Sequence, residues 1–290
     1  MADGLIDLPI AQEMLAAATS SGLDLRAALS TDDEHLRATE IAQPALLLVE
    51  CALRSALPAT LDVVAVAGHS VGEYAAAVAA NALEPTDAMR LVIERGRAMA
   101  AMHEGTMCAL IGIDQDAAAA VCAETASDTG EVVVVANHNA PGQLVISGSR
   151  AGVDAAAQRA LSRGARRAIP LNVSGAFHSP LMADAAARFS VTLDAVAIAE
   201  PHPPVVCNVD ALAASTAAGL RDRLREQLTS PVRWIACVER LVELGAETLI
   251  EVGPGSVLTG LAKRIAPSVR AVSVNSLEGA SQLDAALVAG

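Results

Sequence analysis

The segment VAVAGHSVGEYAAAVA, residues 64–79, decides how the rest of the chain is interpreted. A short run rich in Val and Ala leads into GHSVG, residues 68–72, and a second apolar run comes after it. The first run is typical of a buried parallel strand and the second of a helix. A serine flanked at two residues' distance by glycines, at such a strand-to-helix turn, has the pattern of a nucleophile elbow. The segment therefore predicts an α/β fold in which Ser70 is a nucleophile.

Composition limits the classes of function. A chain of 290 residues is long enough for one large α/β domain with an inserted lobe. Its formal net charge of −13 disfavours binding to nucleic acid or to an anionic membrane. The five cysteines form no C-x-x-C pair and have no histidine at metal-binding spacing, so no metal site is expected. No signal peptide or membrane-spanning run is recognisable, and we expect a cytoplasmic protein.

The middle of the chain changes pattern. Apolar runs and Ala-rich stretches between residues 106 and 173 have the order strand, helix, strand, strand, helix, strand, which is typical of a ferredoxin-like unit. On both sides of this unit, helices alternate with strands that suit a parallel sheet. We therefore expect an α/β-hydrolase-like core formed by residues 1–105 and 174–290, with a ferredoxin-like small subdomain inserted over residues 106–173.

A serine nucleophile needs a base, and the histidines differ in their sequence context. His178, in SGAFHSPLM, comes after a strand, lies in a glycine-containing loop and precedes a helix that begins with proline. His69 adjoins the serine but is expected to point away from it across the turn. No histidine comes after His202, so the late histidine of an α/β-hydrolase triad is missing. A Ser70–His178 dyad is therefore favoured over a triad, and this makes a simple hydrolase a less favoured function. Three other histidines are expected on the surface: His35, His103 and His202. His138 is a possible base but is not favoured.

Eight stretches, spread in order over nearly the whole chain, carry a family resemblance. They are QPALLLVECAL, GHSVGEYAA, MRLVIERGRAM, ANHNAPGQLVISG, AFHSPLM, CNVDA, SPVRW and EVGPGSVLTGLAKRI. With them the sequence resembles the malonyl-CoA:acyl carrier protein transacylase family, which also supplies the acyltransferase domains of polyketide and fatty-acid synthases. The resemblance leaves open which of the two pathways this chain serves.

The resemblance implies a ping-pong acyl transfer. Ser70 would take the malonyl group from malonyl-CoA and pass it to the phosphopantetheine thiol of acyl carrier protein. His178 would act as the general base and then as the acid, and the backbone carbonyl of Gln227 would hold its imidazole in the working tautomer. Arg95 would pair with the malonyl carboxylate, for which a planar guanidinium is well shaped. The resemblance implies no cofactor, and we expect a monomer.

Further residues are expected around the acyl group. Phe177 matches the family position that separates malonyl from bulkier groups, and Val71 after the serine points the same way. Such pocket effects amount to about 1–3 kcal/mol per methylene, so we expect a preference for malonyl rather than absolute exclusion. Four polar residues fall in motifs that line the family's cleft: His69, Asn137, Asn139 and Asn208. Each could form structural hydrogen bonds or contact the substrate, and the sequence leaves both possibilities open.

One family feature is not found. Members normally begin with a short strand and Pro-Gly-Gln-Gly-Ser-Gln, whose loop supplies an oxyanion N–H beside that of the residue after the serine, here Val71. In this chain GLIDLPIAQEMLAAA, residues 4–18, resembles the segment that family members have after that loop. Loss of one donor is expected to slow turnover about 100- to 1000-fold, and loss of the strand to expose a sheet edge. A late start codon, a shortened or redesigned chain and a natural variant with another donor are three open explanations.

Two other functions remain open from the sequence. A thioesterase or esterase using Ser70 would release free malonate without a carrier protein, and Arg95 would then be incidental. A non-catalytic subunit would bind a carrier protein or synthase without acylation of Ser70.

Overall fold

Helices and strands alternate along the computed structural model, which describes residues 4–30 and 35–283. The helices are α1 Pro9–Ser20, α2 Leu25–Ala28, α3 Thr39–Ser55, α4 Gly72–Ala79, α5 Pro85–Ala100, α6 Gln115–Thr129, α7 Arg150–Ser162, α8 Ala183–Ala195, α9 Ala217–Glu226, α10 Trp234–Glu243, α11 Val257–Ile265 and α12 Leu277–Ser281. The strands are β1 Val66–Ala67, β2 Thr106–Ile111, β3 Val133–Ala140, β4 Gln143–Gly148, β5 Arg167–Pro170, β6 Val205–Val206, β7 Ala213–Ala214, β8 Thr248–Val252 and β9 Arg270–Val274. Short 3₁₀ turns lie at Leu5–Asp7, His35–Arg37, Pro180–Met182 and Gln227–Thr229. The fold is mixed α/β.

Helices α1, α3, α4, α5 and α8 share the largest apolar cluster. Helix α5 approaches the start of α3 so closely that a Cβ at Gly96 would lie 2.9 Å from Glu40 Cα. Only glycine permits this approach without a shift of the backbone. The contact sets Arg95, the preceding residue, beside Gln43 on α3.

The core sheet is in two parts. β1 pairs in parallel with β6, which pairs antiparallel with β7, while β8 and β9 form a separate parallel pair. The apolar run before Gly68 is expected to be a strand, but within it only Val66–Ala67 pairs with a neighbour. β9 pairs with β8 along its whole length.

Residues 106–170 form a second, antiparallel sheet of order β3-β4-β2-β5. The strands and helices succeed one another in the order that the sequence predicts. Helices α6 and α7 pack on this sheet around their own apolar cluster, which contains Leu110, Val121 and Ile146. β3 also touches the core, because Asn137 forms an isolated parallel bridge with Val232.

Three further observations concern the cysteines, membrane spans and metal ligands. The five cysteines are all unpaired and buried. Among the described residues, no helix is both long and apolar enough to cross a membrane. Over the same residues, no group of three or more His, Cys, Asp or Glu side chains is arranged to hold a metal ion.

Glu50, near the end of α3, places an acid in an apolar region. Its Oε2 is inaccessible to solvent and has no hydrogen-bond partner in the described structure. Burial, followed by the negative charge of Glu251, raises the pKa of Glu50 to about 8. The carboxyl group is therefore largely protonated at neutral pH.

Replacing this acid is expected to change how stability depends on pH. The folded protein keeps the proton of Glu50 up to a pKa of about 8, whereas the ordinary value is 4.5. The free energy of unfolding therefore falls as pH rises through this window. In urea denaturation, the free energy of unfolding of Glu50→Gln relative to that of the parent should be about 3.5 kcal/mol higher at pH 8 than at pH 5. Glu84→Gln, at an exposed glutamate, is the control, and an equal effect of Glu50→Gln at both pH values would contradict the prediction.

Candidate active site

Ser70 occupies a strained turn between β1 and α4. Its φ is 52°, in the left-handed region that non-glycine residues rarely adopt. Asn208, which comes after β6, fastens the turn from both sides: its Oδ1 accepts from Ser70 N at 2.8 Å and its Nδ2 donates to Gly68 O at 2.8 Å. The turn leaves no room for a side chain at Gly68, where a Cβ would lie 2.0 Å from the carbonyl of Gly72.

The backbone N–H of Val71 lies in the same turn. Val71 is the N-cap residue of α4, and among the described residues no acceptor is hydrogen-bonded to its N–H. The N–H groups at a helix N-terminus carry partial positive charge. This end of α4 can therefore stabilise negative charge next to Ser70.

His178 lies 108 positions after Ser70 in the sequence but contacts it in the fold. Its Nε2 lies 2.8 Å from Ser70 Oγ, and its Nδ1 lies 3.0 Å from Gln227 O and 3.2 Å from Ser230 O. Because carbonyl oxygens only accept hydrogen bonds, Nδ1 carries the proton and Nε2 accepts from the serine hydroxyl. The geometry suits removal of the serine proton by Nε2.

The protonation state of His178 also suits a base. Burial, followed by the positive charge of Arg95, lowers its pKa to about 3. The imidazole is therefore neutral at pH 7, with a free lone pair on Nε2 when the serine proton moves.

Arg95 is a buried cation with neutral hydrogen-bond partners. Its side chain is 1% exposed, and none of the described ion pairs includes it. Nη1 donates to Gln43 Oε1 at 2.5 Å, while Nη2 donates to Gln227 Oε1 at 2.9 Å and to Ser70 Oγ at 3.1 Å. Nε has no partner in the described structure. A buried guanidinium whose hydrogen-bond partners are all neutral, next to a serine hydroxyl, can hold an anionic group.

Gln227 joins the serine, the arginine and an unexpected acid. Its Nε2 donates to Ser70 O at 3.0 Å and to Glu73 Oε2 at 2.6 Å. Glu73 is fully buried, and burial raises its pKa to about 7 although hydrogen bonds from Gln227 and Asn208 act against this. Neither Glu73 nor Gln43 is among the residues expected from the sequence. An acid three residues after the serine, on the first turn of an otherwise apolar helix, is the signal that points to Glu73.

The other expected residues differ in burial and in their partners. His69 Nε2 lies 2.9 Å from Asn139 Oδ1, and its ring meets Trp234 edge-on at 5.5 Å, which directs it into packing. Phe177 is half-buried and packs against two apolar clusters. Asn137 is buried in β3. His138 is partly buried in β3, and His103 and His202 are exposed. The side chain of His35 lies outside the described residues.

A pair of glycine variants tests the elbow. Gly68→Ala would force its Cβ to 2.0 Å from backbone atoms, whereas Gly72→Ala meets nothing nearer than the Glu50 carboxylate at 4.0 Å. We expect Gly68→Ala to lower the free energy of unfolding by at least about 3 kcal/mol, or to prevent folding. Gly72→Ala should stay within about 1 kcal/mol of the parent. Urea denaturation measures both, and equal effects of the two variants would refute the steric account.

Removing the positive charge of Arg95 is expected to raise the pKa of His178. The charge lowers that pKa, so Arg95→Met should move it from about 3 toward the ordinary 6.5. NMR titration of the His178 ring protons measures the change. Arg97→Met, which removes an exposed arginine paired with Glu94, is the control and should leave the titration unchanged. An unchanged titration in Arg95→Met would contradict the prediction.

Comparison with known proteins gives one family. The acyl transferase domain matches residues 7–288. The malonyl CoA-acyl carrier protein transacylase of Salmonella typhimurium is 41% identical over 287 residues, covering 95% of this chain and 91% of that protein. An acyl carrier protein S-malonyltransferase structure from Vibrio cholerae is 39% identical with a TM-score of 0.90, covering 98% of this chain and 94% of the other. A malonyl-transacylase solved with its type II PKS acyl-carrier protein is 37% identical with a TM-score of 0.89, over 97% and 93% of the two chains. The chain belongs to the malonyl-CoA:acyl carrier protein transacylase family of acyl transferases.

Proposed function

We propose that this protein transfers a malonyl group from malonyl-CoA to the phosphopantetheine thiol of acyl carrier protein, through an ester on Ser70. One observation carries the proposal: a buried guanidinium that forms no ion pair with any described residue lies 3.1 Å from the hydroxyl that also bonds His178. A carboxylate bound to Arg95 is then close enough to the reacting carbonyl to suit a short dicarboxylic acyl group. The names of the relatives support the same reaction.

In the first half-reaction, Ser70 Oγ attacks the thioester carbonyl carbon while His178 Nε2 takes the hydroxyl proton. The negative charge that develops on the carbonyl oxygen faces the N–H of Val71 at the start of α4. When the carbon–sulfur bond breaks, His178 returns the proton to the departing thiolate of coenzyme A. The malonyl group is left as an ester on the serine.

The second half-reaction reverses these roles. His178 takes the proton of the phosphopantetheine thiol, and the sulfur attacks the ester carbonyl. The carbon–oxygen bond to Ser70 breaks, and the serine recovers its proton from His178. Only an acyl group and a proton move, so the proposed reaction requires no metal or redox cofactor.

Substrate binding would also set the strength of the base. The positive charge of Arg95 lowers the pKa of His178. A carboxylate on Arg95 would cancel much of this charge and raise that pKa toward neutrality, where a general base works best. The malonyl group would thus activate the base that acts on it.

The remaining residues have proposed supporting roles. The carbonyl of Gln227 fixes the tautomer of His178, and its side chain orients Arg95. Phe177 would limit the space beside the acyl α-carbon and so favour malonyl over branched groups. His69 and Asn137 would line the approach to the serine.

We further propose an α/β-hydrolase-like core over residues 1–105 and 174–290, with a ferredoxin-like subdomain over residues 106–173. The sharp strand-to-helix turn at Ser70 supports the first assignment. The antiparallel order β3-β4-β2-β5, with helices after its first and third strands in sequence, supports the second. Five unpaired cysteines support a reducing compartment such as the cytoplasm.

Intact-protein mass spectrometry after brief mixing with malonyl-CoA tests the function. We expect a malonyl-sized adduct on the parent and none on Ser70→Ala. Arg95→Met should form the adduct about 10- to 100-fold more slowly, because a charged hydrogen-bonded pair is lost, and Arg97→Met should match the parent.

Addition of carrier protein bearing phosphopantetheine then separates transfer from hydrolysis. Transfer predicts that the adduct moves to the carrier with little free malonate. Free malonate at the same rate with and without carrier would establish a thioesterase instead. An adduct on Ser70→Ala, or none on the parent, would refute the role of Ser70.

A further inference from the structure

Glu73 is an acid inside the active site that the proposed mechanism does not use. It lies on the first turn of α4, three residues after Ser70, and its side chain is fully buried. A carboxyl group that has lost its water needs hydrogen bonds from the protein, because burying a charged or polar group without them is costly. The partners of Glu73 therefore indicate what the acid does.

Two hydrogen bonds reach the same oxygen of Glu73. Its Oε2 accepts from Gln227 Nε2 at 2.6 Å and from Asn208 N at 3.2 Å. Asn208 holds both sides of the strained turn at Ser70. Gln227 accepts a hydrogen bond from Arg95. The acid thus joins the residue that holds the nucleophile to the residue that holds the arginine.

The side-chain amide of Gln227 has a different partner for each end. Its nitrogen donates to Glu73 Oε2 at 2.6 Å and to Ser70 O at 3.0 Å, and its oxygen accepts from Arg95 Nη2 at 2.9 Å. An amide nitrogen only donates and an amide oxygen only accepts, so an acceptor at Glu73 directs the oxygen toward the guanidinium. The bond to Glu73 is the shorter of the two on the nitrogen. Without it, the amide would be held on that side by the longer bond alone.

The protonation of Glu73 does not remove this acceptor. Burial raises the pKa of Glu73 to about 7, so charged and neutral forms are both populated near neutral pH. A protonated carboxyl group still has one oxygen that only accepts. The other oxygen, Oε1, has no hydrogen-bond partner in the described structure and can carry the proton while Oε2 accepts from Gln227. The length of the side chain and its acceptor oxygen therefore matter more than its charge.

We propose that Glu73 is a positioning residue for acyl transfer: it fixes the amide of Gln227, and through that amide it holds Arg95 in place to bind the carboxylate of the acyl group. The inference rests on the proposed function for the ligand of Arg95. Because Glu73 acts through the arginine, it should affect the transfer of acyl groups that carry a carboxylate and leave that of uncharged acyl groups unchanged.

Two substitutions separate the reach of the side chain from its charge. Glu73→Asp keeps the acid but is one methylene shorter, so its oxygens withdraw from Gln227. Glu73→Gln keeps the length and an acceptor oxygen but loses the charge. The proposal predicts that Glu73→Gln behaves like the parent and that Glu73→Asp does not. A role that depends on the negative charge predicts the reverse.

The first measurement is the rate at which Ser70 forms an adduct with malonyl-CoA, divided by its rate with acetyl-CoA. Glu73→Asp should lower this ratio at least about 5-fold through slower reaction with malonyl-CoA, because the hydrogen bond to Gln227 is lost. Glu73→Gln and the exposed control Glu84→Gln should keep the ratio of the parent. A loss of folded protein lowers both rates equally and leaves the ratio unchanged. An unchanged ratio in Glu73→Asp, or an equal fall in Glu73→Gln, would overturn the proposal.

The second measurement, NMR of the Arg95 guanidinium, needs no acyl transfer. Held by Gln43 and Gln227, its two Nη groups should give separate ¹⁵N signals, which Arg95→Met identifies by their absence. Glu73→Asp should merge or broaden these signals, and Glu73→Gln should keep them.

Unchanged Arg95 signals in Glu73→Asp would overturn the inference whatever the result with malonyl-CoA. If Glu73→Asp does not fold, Glu73→Gln still tests the inference, because merged or broadened Arg95 signals in that variant would overturn it. A parent that takes up no malonyl group but shows the expected Arg95 signals in both variants would contradict the proposed function and leave the positioning of Arg95 by Glu73 supported.

Discussion

The buried positive charge of Arg95 is the interaction on which the rest of the site depends. A guanidinium that is 1% exposed has lost almost all its water and must be satisfied by polar groups of the protein. Here Gln43, Gln227 and the hydroxyl of Ser70 accept its hydrogen bonds. They come from α3, from the 3₁₀ turn after α9 and from the elbow, so one charge ties together three distant parts of the chain.

The same charge sets the acid–base properties of its neighbours. It adds to burial in lowering the pKa of His178, and it opposes the burial that raises the pKa of Glu73. Both effects weaken when an anion neutralises Arg95. If Arg95 binds the malonyl carboxylate as we propose, affinity for that carboxylate and the strength of the base are coupled through a single side chain. The neutral partners of Arg95 matter here, because a permanent carboxylate partner would remove that coupling.

The scaffold converts this electrostatic arrangement into fixed distances. Gly96 lets α5 approach α3 until Arg95 and Gln43 meet, and Asn208 holds both sides of the strained turn at Ser70. The core sheet lacks such closure, because its two parts face each other across a cleft between β1 and β8. Ser70 comes directly after one edge of that cleft.

Features that depend on near neighbours in the chain could be predicted from the sequence. Gly68 and Gly72 around Ser70 identify the elbow, since the steric limits of a tight turn involve only a few residues. The periodicity of apolar residues likewise predicted the order of elements through the antiparallel sheet, and the family motifs pointed to Arg95 and His178. The tertiary structure alone decided what surrounds them. The pairing of Glu73 with Gln227, the low pKa of His178, the strand β9 and the division of the core sheet all depend on groups far apart in sequence. Burial and electrostatic interaction act through space, so a local pattern of residues does not specify them.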